Sequence, residues 1–309
     1  LSVSSAASDV YKRQILNLGA IALVLAAISI WVGQVSYSWL PPQAAAESIL
    51  IDDLFSFLVT LGSFIFLGVT GTLIYSIIFQ RAAKYDYSDG PHIEGNITLE
   101  VVWTAIPIFL VFWIAAYSYN IYEKMAIQGP MELVHLHTPL EMESAYADPL
   151  EPATEPVEEI QVYAKQWSWV FRYPENGVTS TELHLPVDRR VRVALNSEDV
   201  LHGFYIPAFR LKQDIIPKHP IDFEFTPIRV GKYSLTDSQY SGTYFATMAT
   251  NVVVESPQDY KNWLVQAGNS ELSPAKNQAH SEYVQKSEAP VQQGWPSIKP
   301  ASPPIVNYH

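Results

Sequence analysis

The 309-residue chain contains no cysteine. That excludes disulfides, zinc sites built on cysteine, lipid attachment through an N-terminal cysteine and any copper centre bridged by thiolates. Charge is scarce too: 16% of residues are charged and 48% hydrophobic, which suits one anchored globular domain better than two water-soluble ones. Basic residues are scarcest. The 19 Lys and Arg are outnumbered by 31 Asp and Glu, and a net charge of −12 argues against a nucleic-acid partner, which needs a basic face. Between residues 125 and 164 there is no Lys or Arg at all.

Long apolar runs, by contrast, are abundant. Three of them, at 15–33, 54–79 and 101–121, carry no charge. About 20 helical residues cross a hydrocarbon core, so the 26-residue and 21-residue runs predict a transmembrane hairpin over 47–125. Pro107 is tolerable near a helix start or at a kink. Tyr75, Trp103, Tyr117, Tyr119 and Tyr122 lie near the run ends, where interfacial aromatics belong. The first run, within 1–46, reads two ways. Lys12-Arg13, the apolar stretch and Ala44-Ala45-Ala46 have the order of a signal peptide with its cleavage site, while the length of the run favours a retained helix. Residues 1–14 suggest no function. Arg81 and Lys84 follow the second run, so the positive-inside rule puts 80–100 in the cytoplasm and everything after Tyr122 outside.

Residues 126–159 form an acidic connector rich in Pro and Glu. It reads as a solvated spacer, or as a docking surface for a basic electron carrier, since clustered negative charge speeds encounter. His135 and His137 alternate within it without a third ligand nearby, too few for a metal site. From residue 160 the pattern changes to β-branched and aromatic runs at 160–171, 190–196, 201–207, 221–226, 231–236 and 245–255. Turn signals such as Pro174-Glu175-Asn176-Gly177 separate them, and His219 sits in an exposed turn, Pro217-Lys218-His219-Pro220. Six strands in about 100 residues predict a sandwich or barrel over 160–264. Residues 265–309, rich in Ser, Pro, Gln and Asn, predict a mostly disordered tail in which His280 and His309 are solvated.

Several short patterns then occur in a telling order. Glu100, Trp103-Thr104 and Ile106-Pro107 follow the loop 90–99; Gln166-Trp167-Ser168-Trp169 comes next, then Asp199-Val200-Leu201-His202 and the segment 237–248. Over about residues 52–264 the chain resembles subunit II of the haem–copper terminal oxidases. The resemblance implies an α+β membrane protein whose extracytoplasmic domain is a cupredoxin-like β-barrel. It also implies that Trp167 is the residue through which electrons would arrive from cytochrome c, with Trp169 a packing neighbour. On one strand, however, Trp167 and Trp169 share a face, and both read equally as buried packing.

In family members that hold the binuclear CuA centre, the loop supplies two cysteines, a glutamate, a histidine and a methionine. Here the cysteine positions are Asp237 and Ser241, the glutamate position is Gln239 and the second histidine position is Phe245. His202 and Met248 alone remain of the ligand set. Neither carboxylate nor hydroxyl replaces a soft bridging thiolate, and His202, Met248 and the Gln239 amide make a poor copper set. His202 therefore reads as a histidine satisfied through one ring nitrogen. The glutamate position also reaches a magnesium or manganese ion shared with subunit I, and the neutral amide of Gln239 would hold such an ion only weakly.

Subunit II of the bo-type ubiquinol oxidases also lacks CuA, with Tyr-Ser-Gly, Phe and Met at the spacing of Tyr240-Ser241-Gly242, Phe245 and Met248. The retained His202 and the hairpin loop depart from that branch and resemble cytochrome c oxidases; the mixture resembles the cyanobacterial alternative terminal oxidases, whose subunit II likewise lacks the CuA ligands. The resemblance thus implies a non-catalytic subunit of an oxygen-reducing oxidase in a bacterial cell membrane, fed by quinol. No cofactor is expected in this chain, haem and CuB are expected in subunit I, and subunits I and III are the expected partners. Two other readings stay open. One is a cytochrome c oxidase subunit with a degenerate metal site, favoured by Trp167 and the acidic connector. The other is a membrane-tethered binding or assembly factor that uses the same barrel.

Overall fold

The computed structural model describes residues 2–81, 85, 95–125, 157–270 and 277–287, with side chains from Lys12 onward. Residues 126–156 of the acidic connector, with His135 and His137, most of the hairpin loop and His309 lie outside the described residues, and the connector's last two residues, Glu158 and Glu159, belong to a strand. Helix α1 spans Ser2–Ser36, α2 Ala46–Phe79 and α3 Ile97–Lys124. Each is long and apolar enough to cross a membrane. Their outward faces carry large apolar side chains such as Phe66, Ile77, Phe109 and Phe112, as lipid-facing helices do. α1 and α2 meet where side chains are smallest. Ser56 Oγ donates to the Gly33 carbonyl at 2.8 Å, and a Cβ on Gly33 would fall 1.9 Å from Thr60 Oγ1, so only glycine fits there. Phe57 packs edge-on against Trp113 and Tyr117 of α3, at 5.1 and 5.0 Å. α3 continues through Pro107, as transmembrane helices allow.

The β-domain is a second compact unit, built from residues 41–50 and from Tyr122 onward. Its strands are β1 (Glu158–Lys165), β2 (Ser168–Tyr173), β3 (Val178–Ser180), β4 (Leu183–Pro186), β5 (Val191–Ser197), β6 (His202–Ile206), β7 (Leu211–Ile215), β8 (Ile221–Phe225), β9 (Gly231–Asp237) and β10 (Ala249–Glu255). They form two five-stranded sheets, in the orders β3-β2-β1-β5-β8 and β4-β10-β9-β6-β7. The β1–β5 and β4–β10 pairs are parallel and the others antiparallel. Alternation drives this: every second residue of β1, β5 and β8 is buried, and Phe171, Leu195, Phe204 and Phe225 reach zero exposure.

Four sequence expectations need correction. The run 160–171 is two strands, because the chain reverses at Gln166-Trp167 and pairs Ala164 with Trp169. β3, β4 and β7 were not expected: β3 has three residues, and β7 (Leu-Lys-Gln-Asp-Ile) is a polar edge strand with no hydrophobic alternation. The start of 245–255 is a helical turn over Phe245–Thr247. The expected disordered tail, finally, is ordered in part. Helix α4, Pro257–Gly268, begins on a Ser256 cap whose hydroxyl accepts from Asp259 N at 3.2 Å, with Pro257 in its first turn. Helix α5, Gln278–Ser287, starts after Asn277, whose side chain accepts from His280 N at 3.0 Å. Ala279 and Tyr283, one helical turn apart, pack into the domain.

The β-domain also reaches back across the helices in sequence. Ala44 N donates to Ala208 O at 3.0 Å and Ala46 N to Thr226 O at 2.9 Å, and Ala44 and Ala45 are fully buried. Packing therefore requires small side chains at these two positions.

Candidate functional site

Sheet register builds the site. Phe204 of β6 pairs with Asp237 of β9, which places His202, the first residue of β6, beside the carboxylate that ends β9. His202 Nδ1 lies 2.8 Å from Asp237 Oδ2, and Nε2 lies 2.9 Å from Asp199 Oδ1. The ring is fully buried. With a carboxylate at each nitrogen, the imidazole satisfies both contacts only as the doubly protonated cation. Burial alone would lower the pKa of His202, but hydrogen bonds and charge from Asp237 and Asp199 outweigh it and hold the group above its ordinary value. Asp237 answers in kind. Burial would raise its pKa, but His202, the backbone N–H groups of Gln239 and Gly203, and the Ser241 hydroxyl hold it below the usual carboxylate range. Gly203 N donates at 2.7 Å, Gln239 N at 3.0 Å and Ser241 Oγ at 2.8 Å.

Of the positions singled out in the sequence, His202, Asp237 and Ser241 thus converge, and the others do not join them. The Gln239 side chain donates instead to Asp214 Oδ1 at 2.8 Å. Phe245 is half-buried and meets Tyr240 edge-on at 5.2 Å. Met248 is buried, and its main-chain carbonyl accepts from Asp237 N at 2.9 Å and Trp169 Nε1 at 3.3 Å. His202 is satisfied through both ring nitrogens rather than one. Asp199 and Asp214 were missed as partners. Asp199 stands three residues before His202, a spacing that brings an aspartate back to its own turn, and its Oδ2 also accepts from Gln166 N at 2.7 Å.

Trp167 lies on the other side of the loop. It occupies the two-residue turn between β1 and β2 and is 5% exposed, so the strand-face argument that paired it with Trp169 does not apply. Its Nε1 donates to Ser241 O at 3.2 Å, and Gln166 Nε2 donates to the same carbonyl at 2.6 Å. Gly242 makes this close approach feasible: its φ is 115°, and a Cβ there would lie 2.8 Å from Gln166 Nε2.

Residues 29–121 match the family described as cytochrome c oxidase subunit II, transmembrane domain, and residues 176–256 match its periplasmic domain. A cytochrome c oxidase subunit 2 of Synechocystis is 33% identical over 266 residues, covering 79% of this chain and 80% of that protein. The chain belongs to the cytochrome c oxidase subunit II family. A second cytochrome c oxidase subunit 2, from Thermostichus vulcanus, is likewise 33% identical, over 78% of this chain and 82% of its own length. Quinol oxidase subunit 2 of Bacillus subtilis is 28% identical over 74% of this chain and 64% of its own length. This subunit II is accordingly a membrane protein with an extracytoplasmic C-terminal domain, and a component of a terminal oxidase.

The residues present do not fit a CuA centre. Both bridging positions carry oxygen, and Asp237 and Ser241 already bond each other. A His202 cation with two N–H groups has no lone pair to offer a metal. What holds the loop of this subunit II is the buried His202 ring between the Asp199 and Asp237 carboxylates.

Proposed function

We propose that this chain is the CuA-less subunit II of a quinol-oxidising haem–copper terminal oxidase. The observation that carries the reading is the closed cluster of Asp199, His202, Asp237 and Ser241 where thiolates would be needed. Electrons would then reach subunit I directly from quinol, and haem and CuB held there would supply the chemistry that reduces oxygen, with electrons and protons, to water. This chain's own contribution is to anchor the extracytoplasmic domain on its helices and to complete the complex with subunits I and III. At Gln239, the amide bonded to Asp214 leaves a neutral oxygen as the only contribution to any hard cation shared with subunit I.

One observation favours the competing reading, a cytochrome c oxidase with a degenerate site. Identity is higher to the Synechocystis cytochrome c oxidase subunit, 33%, than to the Bacillus quinol oxidase subunit, 28%. Overall identity reports the scaffold, however, and the donor is decided by the few residues that carry electrons. The test is steady-state oxygen uptake by the purified complex, with quinol or reduced cytochrome c as donor. Quinol should sustain turnover and cytochrome c should not; the reverse pattern rejects the proposal.

A further inference from the structure

Trp167 sits in a tight turn at the end of a β-hairpin, a place where a large ring ordinarily meets solvent. It is nevertheless 5% exposed. Tyr244 from the β9–β10 loop meets it edge-on at 5.2 Å, and Tyr283 of α5 does so at 5.3 Å. α5 is attached at three further points. Asn277 Nδ2 donates to Gln166 O at 2.9 Å and lies 3.3 Å from Ser168 Oγ, so it grips the residues on both sides of Trp167. Tyr244 Oη donates to Glu282 Oε1 at 3.3 Å. Ala279 is 4% exposed against the domain. A helix of ten residues is marginal by itself, so these contacts are what keep α5 in place.

We infer that α5 is a donor-excluding cover: it closes the Trp167 corner of the β-domain to any docking redox protein. The inference rests on the quinol reading above and deepens it, because the route to Trp167 is closed sterically as well as chemically. The outward surface of α5 gives a basic carrier little to recognise. Among its described side chains, the exposed ones are Gln278, His280, Ser281, Val284 and Gln285, none of them a carboxylate, while Glu282 is turned toward Tyr244. A protein donor approaching this corner meets α5 in place of an aromatic ring.

The test uses the intact purified oxidase and hydroxyl-radical labelling read by peptide mass spectrometry. Trp169, 3% exposed, is the internal standard. Asn277→Ala/Tyr283→Ala should raise labelling of Trp167 about five-fold, as exposure grows from 5% to roughly a quarter, with Trp169 and quinol-driven oxygen uptake unchanged. A chain ending after Ser270 should give at least the same rise. Soluble basic cytochrome c at low ionic strength should then protect Trp167 in the uncovered variants and have no effect in the native chain. Equal labelling of Trp167 in native and variant chains overturns the inference, as does a lack of protection by cytochrome c once the ring is open. If the native complex oxidises cytochrome c and not quinol, the donor reading fails, and the labelling result still stands or falls by itself.

Discussion

The loop joining β9 to β10 has two sides, and different physics holds each. On one side, a buried imidazolium is clamped between Asp199 and Asp237, which itself takes three further hydrogen bonds. On the other, Trp167 is wedged between Tyr244 and Tyr283, with a single hydrogen bond to Ser241 O. The charged side is directional, so removing any one member leaves its partners unpaired in a low-dielectric site. The aromatic side is area-driven, and a smaller ring still fills most of the space. The loop is therefore secured by its own side chains. One side tolerates almost no substitution and the other tolerates some.

The sharpest way to break the comparison is to restore the family's ligand set at once. Asp237→Cys, Gln239→Glu, Ser241→Cys and Phe245→His together remove the carboxylate that partners His202. Without copper the variant should lose about 3–5 kcal/mol in the β6 and β9 region, the range for breaking a buried ion pair, read as hydrogen-exchange protection. Added copper should recover part of that loss by linkage and produce the purple mixed-valence absorption. The complex should still prefer quinol, since α5 continues to cover Trp167. Efficient cytochrome c oxidation by this variant would mean that the electron path was intact all along. Next in size is Asp237→Asn, which keeps the shape and removes the charge. It should cost about 2–3 kcal/mol by the same measurement, the scale of a hydrogen bond to a charged group. Unchanged protection would mean that the cluster is not what secures the loop.

How much of this was legible in the sequence differs between the same two sides. The charged side was half visible. Asp237 and Ser241 stood out as replacements for thiolates, and the apolar runs foretold α2 and α3, because charge-free stretches of that length have few other uses. Asp199 was on the page but carried no role, since an exposed-looking aspartate before a histidine becomes a partner only once β6 and β9 are in register. The aromatic side was hidden. A Gln-Trp turn bears none of the Gly, Asn or Pro marks of a reversal, so Trp167 and Trp169 were placed on one face of one strand. α5 is polar along most of its length, and the Ala279–Tyr283 pair that docks it is too short a pattern to separate from a disordered tail. The role of Ala44 and Ala45 was hidden because the strand-like pairing they make, with Pro227 and Ala208, spans more than 160 residues.

The aromatic side gives the next smaller effect. Trp167→Phe removes the Nε1 bond to Ser241 O and part of the buried ring while leaving Tyr244 and Tyr283 a partner. The expected cost is about 1–2 kcal/mol, with quinol-driven oxygen uptake nearly intact. A large loss of turnover in a stably assembled Trp167→Phe complex would instead make this ring part of the electron path, in favour of the cytochrome c reading.

The smallest effect, and the one that belongs to the charged side alone, is the response to pH. The folded-state pKa of His202 is raised above 6.5, so its stabilising contribution is complete below that value and is lost as pH climbs through the raised one. Asp237 is held below 3.8, so its contribution is present above that value and disappears only as pH falls through the lowered one. Between 3.8 and 6.5 the clamp should be insensitive to pH. The visible step therefore lies above 6.5, on the high-pH side. It should appear as a fall in apparent unfolding temperature of the native complex relative to His202→Gln, which has no proton to lose at this position. Asp237→Asn should move the step back toward 6.5, because Asp199 alone then holds the imidazolium. The Trp167→Phe variant should keep the native step unchanged. If native and His202→Gln complexes track one another as pH rises above 6.5, the proton on His202 contributes nothing to holding the loop, and the two sides are not as different as their contacts suggest.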